Sequence, residues 1–91
     1  MRQIWITGTG GAEALQVREA AAPTPGEQEL RIRVHASGVN FADILARQGL
    51  YPDAPKRPCV IGYEVSGVVD AVGAKTDASW IGQEVLSLTR F

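Results

Sequence analysis

The sequence predicts a small, mainly β fold, a β-barrel or sandwich carrying one short helix. Three observations lead there. Apolar residues recur in short runs, several of them alternating with period two, at 4–6, 15–19, 29–36, 65–72 and 84–88. Proline and glycine clusters separate these runs. Only one stretch, beginning at Phe41, changes to helical spacing. Five or six short strands, one helix and no internal repeat argue against a doubly wound α/β domain.

Each element has its own signal. Ile4 and Ile6 flank Trp5, and the turn TGTGG at 7–11 leads to Leu15, Val17 and Glu19, so the first twenty residues read as a hairpin. Gly8, Gly10 and Gly11 lack both the Lys-Ser/Thr ending of a phosphate loop and the third glycine and helix of a dinucleotide fingerprint. The loop APTPGEQ at 22–28 precedes a strand from Glu29 to Ala36. Leu30, Ile32, Val34 and Ala36 should line its buried face, with Arg31, Arg33 and His35 towards solvent. That leaves His35 as an exposed side chain with no catalytic task. Phe41, Ile44 and Leu45 then mark one face of a helix that Gly49 stops, with Pro52 beyond. Asn40 is the natural N-cap, and Asp43 favours the helix dipole. After the loop DAPKRP at 53–58, Val65–Val72 forms an apolar strand, and Glu84–Leu88 another beyond the Ile81-Gly82 turn. The run Leu86–Phe91 ends without a polar tail, as an unpaired edge would, which reads as a fragment of something longer.

Composition narrows the function classes. The 91 residues suit one domain; they are 45% apolar and 21% charged, as in an ordinary globular protein. Nine basic and ten acidic residues give a net charge of −1 without a like-charged block, which disfavours a nucleic-acid partner. One cysteine, Cys59, and one histidine, His35, exclude an internal disulfide and leave too few soft ligands for a closed zinc site. No stretch reaches the length of a membrane span, and the N-terminus lacks the apolar core of a signal peptide. A cytoplasmic location with no membrane partner is the expectation.

One triplet is out of character. In VIGYEVSGVV, at 60–69, Glu64 stands between an aromatic residue and a β-branched run, where a carboxylate is costly unless paired or functional. The segments ASGVNFAD (36–43), RQGLYP (47–52) and PCVIGYEVSGVVDAVG (58–73), in that order and spacing, bear on it. Together they resemble the N-terminal GroES-like domain of the medium-chain dehydrogenase/reductase superfamily, and most nearly its zinc-independent quinone oxidoreductases. The resemblance covers nearly the whole chain and implies a GroES-like, partly open β-barrel spanning 1–91. A Rossmann domain for the cofactor would then lie outside these residues.

What the resemblance implies can be taken residue by residue. Zinc-dependent members read Gly-His-Glu where this chain has Gly62-Tyr63-Glu64, and carry a cysteine ligand at the place of Asn40. An amide and a phenol with pKa about 10 are poor ligands for zinc, so no metal is expected. Glu64 then reads as a buried acid satisfied by backbone amides or by Arg47. Gly62 and Gly67 serve the chain path. Without a Lewis acid, the acceptor is a quinone or an α,β-unsaturated carbonyl that takes hydride from NADPH. Tyr51 matches a cleft tyrosine of the family and either donates to the developing oxyanion or packs its ring on the helix. Tyr63 lines the substrate cleft or packs in the core. Asn40 caps the helix, offers its amide to the nicotinamide or substrate, or divides itself between the two. Cys59 is buried and inert. The complete protein would be a homodimer. An enoyl-thioester reductase of a fatty-acid or polyketide system would use the same domain, and a non-catalytic GroES-like binding module shares its fold and length.

Overall fold

In the computed structural model, residues 1–8, 10–52 and 54–89 are described; Thr9 of the first turn, Asp53 of the proline-rich loop and the last two residues, Arg90 and Phe91, lie outside them. The elements in chain order are β1 (Arg2–Ile6), β2 (Leu15–Glu19), β3 (Leu30–Ser37), α1 (Phe41–Gln48), β4 (Cys59–Val60), β5 (Glu64–Val72) and β6 (Glu84–Leu88). The fold is mainly β with a single α-helix, as expected, and its strands form two antiparallel three-stranded sheets, neither closed on itself. Of the described residues, those within 1–21 and 39–63 together with Thr89 make one unit, and residues 22–38 and 64–88 a second.

The first unit contains the sheet β2-β1-β4. The expected hairpin pairs Ile4 with Val17 and Ile6 with Leu15, with a single 3-10 turn, Ala12–Ala14, before β2. Period-two spacing puts Ile4 and Ile6 on one face, yet only Ile6 is covered: it is fully buried with Ala46 of α1 and Cys59 of β4, while Ile4 and Val17 are exposed. Burying Ile6 contributes about 1.5–3 kcal/mol. On the other face the Arg18 guanidinium lies 4.9 Å from the Trp5 ring centre. β4 pairs Val60 with Trp5 and Cys59 with Ile6. Two residues are too few to show a period, which is why this strand left no signal in the sequence.

The second unit contains the sheet β3-β5-β6, with Val69 of β5 buried at its centre. The expected buried face of β3 is not formed as read. Leu30 and Ile32 are half-buried, but Val34 and Ala36 are exposed. The cause is a bulge at His35: Val34 pairs with Gly67 and Ala36 with its neighbour Ser66, so the two project to opposite faces. His35 is exposed, as the sequence indicated. A second register shift leaves Asp70 out of the β3 pairing, and Asp70 instead accepts a 2.8 Å bond from Arg31 Nε. Gly67 is required where β3 and β5 meet, because a Cβ there would overlap the carbonyl oxygen of Arg33. On β6, Leu86 and Leu88 are each 80% exposed.

Candidate functional site

The site residues are positioned by the two ends of α1 and by the turn into β5. At the helix start Asn40 has extended backbone (φ −104°, ψ 160°), as an N-cap should. Its N–H donates to Asp43 Oδ2 at 2.8 Å, and the Asp43 N–H donates to the Asn40 carbonyl at 3.0 Å. Asp43 thereby does more than favour the dipole: it supplies the returning half of a capping box and is only 6% exposed. The apolar spacing misidentified the covered face. Asp43 and Ala46, three apart, are the buried residues, whereas Phe41 is 73% exposed. The capping bond holds Asp43 inward, which leaves Phe41, two positions earlier, turned out.

At the helix end Gly49 takes the left-handed conformation (φ +79°) and donates its N–H to the Ala46 carbonyl, and the Leu50 N–H reaches the Leu45 carbonyl at 2.8 Å. Arg57 Nη2 adds a 2.9 Å bond to the Ala46 carbonyl. This closure delivers Tyr51 two residues past the stop, where it packs with Ala54 and Ile61 against Ile6, Ala46 and Cys59. The approach to Tyr63 depends on Gly62 at φ +138°, a conformation that strains any residue with a Cβ. The Tyr63 carbonyl then accepts the Thr89 N–H at 2.6 Å.

The outcome is an aromatic pair. The Tyr51 and Tyr63 rings stand 6.0 Å apart between centroids at 87°, edge to face. Two of the three candidate site residues are thus brought together. The third, Asn40, stands at the opposite end of α1, an eight-residue helix about 12 Å long. Both tyrosines and Asn40 are half-buried.

Other residues fall differently from expectation. Glu64 is half-buried and its carboxylate lies over Gly38, where an added Cβ would overlap it. Among the described residues no donor reaches that carboxylate, so it is not the satisfied buried acid that its neighbours implied. Arg47 spends its Nε on the Gly10 carbonyl, at 3.2 Å. Cys59 is buried as expected, and burial pushes its thiol pKa up against a smaller opposing effect of Arg57. Arg57 was missed by sequence reading, since nothing in DAPKRP marks a guanidinium as the partner of a helix end. Asp43 Oδ1 and Arg57 Nε are buried without a hydrogen-bond partner among the described residues.

The donor sets bear on possible cofactors. The turn around Gly8–Gly11 does not fit a phosphate group: Gly11 N–H already donates to Glu13 Oε1 at 3.1 Å, and an incoming anion would meet that carboxylate. The same bonding holds the Glu13 carboxyl below its ordinary pKa, first through its own and the Gly11 backbone amides. Among the described residues no three His, Cys, Asp or Glu side chains cluster as metal ligands would. The Asn40 side chain, which carries both a donor and an acceptor, belongs to the capping box of α1.

The two open antiparallel sheets and the capped helix are those of a GroES-like domain, as the match to the family's model and to its solved structures shows. The alcohol dehydrogenase GroES-like domain model matches residues 26–90, and the chain belongs to that family within the medium-chain dehydrogenase/reductase superfamily. The human synaptic vesicle membrane protein VAT-1 homolog is 45% identical over 92 residues, covering 99% of this chain and 23% of the relative. The crystal structure of the human VAT-1 homolog-like protein superposes with a TM-score of 0.90 at 41% identity, over 97% of this chain and 28% of that one. The Escherichia coli quinone oxidoreductase complexed with NADPH gives a TM-score of 0.86 at 35% identity, over 94% and 26%. The chain thus spans about a quarter of the length of these relatives.

Proposed function

We propose that this chain is the substrate-side domain of a longer, NADPH-dependent oxidoreductase that reduces a quinone or an α,β-unsaturated carbonyl without zinc. The observation that carries the reading is the pairing of Tyr51 with Tyr63, the residue at the place of the zinc-ligating histidine of metal-dependent relatives. With Asn40 at the place of their cysteine, two ligand positions hold groups that bind zinc poorly. An aromatic hydroxyl beside a second ring is suited instead to hydrogen bonding a planar acceptor. NADPH, which the Escherichia coli relative's structure contains, supplies the hydride when bound.

The chain's own residues then have distinct tasks. Asn40 holds the nicotinamide end through its amide. Tyr51 donates its hydroxyl proton in a hydrogen bond to the acceptor oxygen, where negative charge develops as hydride arrives at carbon. The apolar cluster of Ile6, Ala46 and Cys59 behind Tyr51 excludes water from the back of its ring. The cofactor domain lies elsewhere in the complete protein, which is a cytoplasmic homodimer; the single buried thiol, Cys59, suits a reducing compartment.

Replacement of Tyr51 by Phe in the complete protein tests the reading, since it removes the donor and keeps the ring. Turnover of NADPH with a quinone or enone should fall by roughly 10–1,000-fold. Unchanged kinetics would remove Tyr51 from the chemistry. Profiling quinones against enoyl thioesters in the same assay separates the proposed acceptor class from a thioester reductase.

A further inference from the structure

We propose that the outer face of β6, with Glu64 beside it, is a docking surface for the part of the complete protein outside residues 1–91. The segment seated there brings apolar side chains to Leu86 and Leu88 and a cationic group to Glu64. The inference rests on the reading of this chain as one part of a longer protein. It starts from the polarity of β6, which is inverted for an open face. Glu84, Leu86 and Leu88 are exposed, while Val85 and Ser87 are half-buried, so the strand turns a serine inward and two leucines out. Antiparallel sheets with a solvated face show the reverse, polar out and apolar in; a strand apolar on both faces is one that is covered on both.

Register shows what else lies on that face. Leu88 pairs with Glu64, Leu86 with Ser66 and Glu84 with Val68, and Ser66 pairs in turn with Ala36 of β3. Directly paired residues project to the same side. The small residues Ala36 and Ser66 therefore lie below the leucines, and a groove of about 590 Å³ runs past Ser66, Val68, Glu84 and Leu86. At its β5 end stands the Glu64 carboxylate, half-buried over Gly38 and without a donor among the described residues. An acid that has lost part of its water beside a leucine is stabilised most by a cation arriving with an apolar surface. A second copy of this face suits it poorly. It carries Glu64 and Glu84 against Arg33, the partner of Val68, and would set an excess of acid against acid. About three quarters of the length of the relatives lies outside the matched residues, ample for such a segment.

Thiol accessibility in the complete protein tests the proposal, with Leu86→Cys as reporter, or Leu88→Cys should the first variant not fold. Alkylation, read peptide by peptide in mass spectrometry, should be at least about tenfold slower in the folded protein than in urea and independent of protein concentration. Alkylation at the urea rate would mean an open face and overturn the proposal. Protection that disappears on dilution would give the face to a second copy and overturn it too. Adding Glu64→Gln, which keeps the shape and removes the charge, should speed alkylation about threefold or more by loosening the docked segment. An unchanged rate would overturn the cation at Glu64. Neither NADPH nor a quinone enters the measurement. A protected thiol in a protein that reduces no quinone or enone would therefore refute the proposed reaction and leave the docking surface standing.

Discussion

Cys59 is the only thiol in the chain, and it packs beside Ile6 and Ala46 in the first unit. Burial pushes its pKa up, outweighing the nearby Arg57 charge. A raised folded-state pKa means the folded chain favours the thiol; this contribution is complete below the ordinary thiol pKa and is lost as pH rises through the raised value. Stability should therefore decline on the alkaline side, and less steeply in Cys59→Ala once its own packing loss is subtracted. At mildly alkaline pH, alkylation of native Cys59 should run at least about tenfold slower than in urea, and equal rates would contradict the burial. Its burial was legible in the apolar residues that follow it. Glu64 was not: the same apolar context read as burial, but the strand leaves its carboxylate half-exposed over Gly38. Which side chain lies over a glycine depends on strand register, and no local sequence signal encodes that.

Element boundaries were easier to read than element faces. Asn40 and Gly49 sit at the two ends of α1 where the sequence put them, because capping chemistry is local. The covered face depends on what the helix packs against, and there Asp43 and Ala46 displaced Phe41. Removing the capping carboxylate in Asp43→Ala should cost about 1–2 kcal/mol, read as a lower midpoint in urea with the slope unchanged. The strands make a contrasting test through two glycines. A Cβ at Gly67 would meet the Arg33 main chain, which cannot step aside, while one at Gly38 would meet the Glu64 side chain, which can turn away. Gly67→Ala should destabilise by about 1–3 kcal/mol and Gly38→Ala by distinctly less. Equal costs in chemical denaturation would mean that the β3–β5 approach is looser than the pairing shows. The alternation of β3 was lost at the His35 bulge, whose extra residue no periodicity announces.

For the whole molecule, the class was legible because it depends on sums: many short strands, one helix, and three segments in register with a known family. The match of the GroES-like domain model over 26–90 agrees with that reading. The chain spans about a quarter of its relatives, and the proposed activity belongs to the longer protein. The complete protein should bind NADPH, seen as quenching of tryptophan fluorescence on titration, while the 91 residues alone should show no saturable quenching. Saturable binding by the short chain would move the cofactor site into these residues. The central claim, reduction without a metal, is tested most directly by following NADPH consumption by the complete protein with a quinone acceptor, after exhaustive dialysis against a chelator. The account predicts the full rate in metal-free buffer and no gain on adding zinc. A preparation that is inactive after dialysis and recovers with zinc would contradict it.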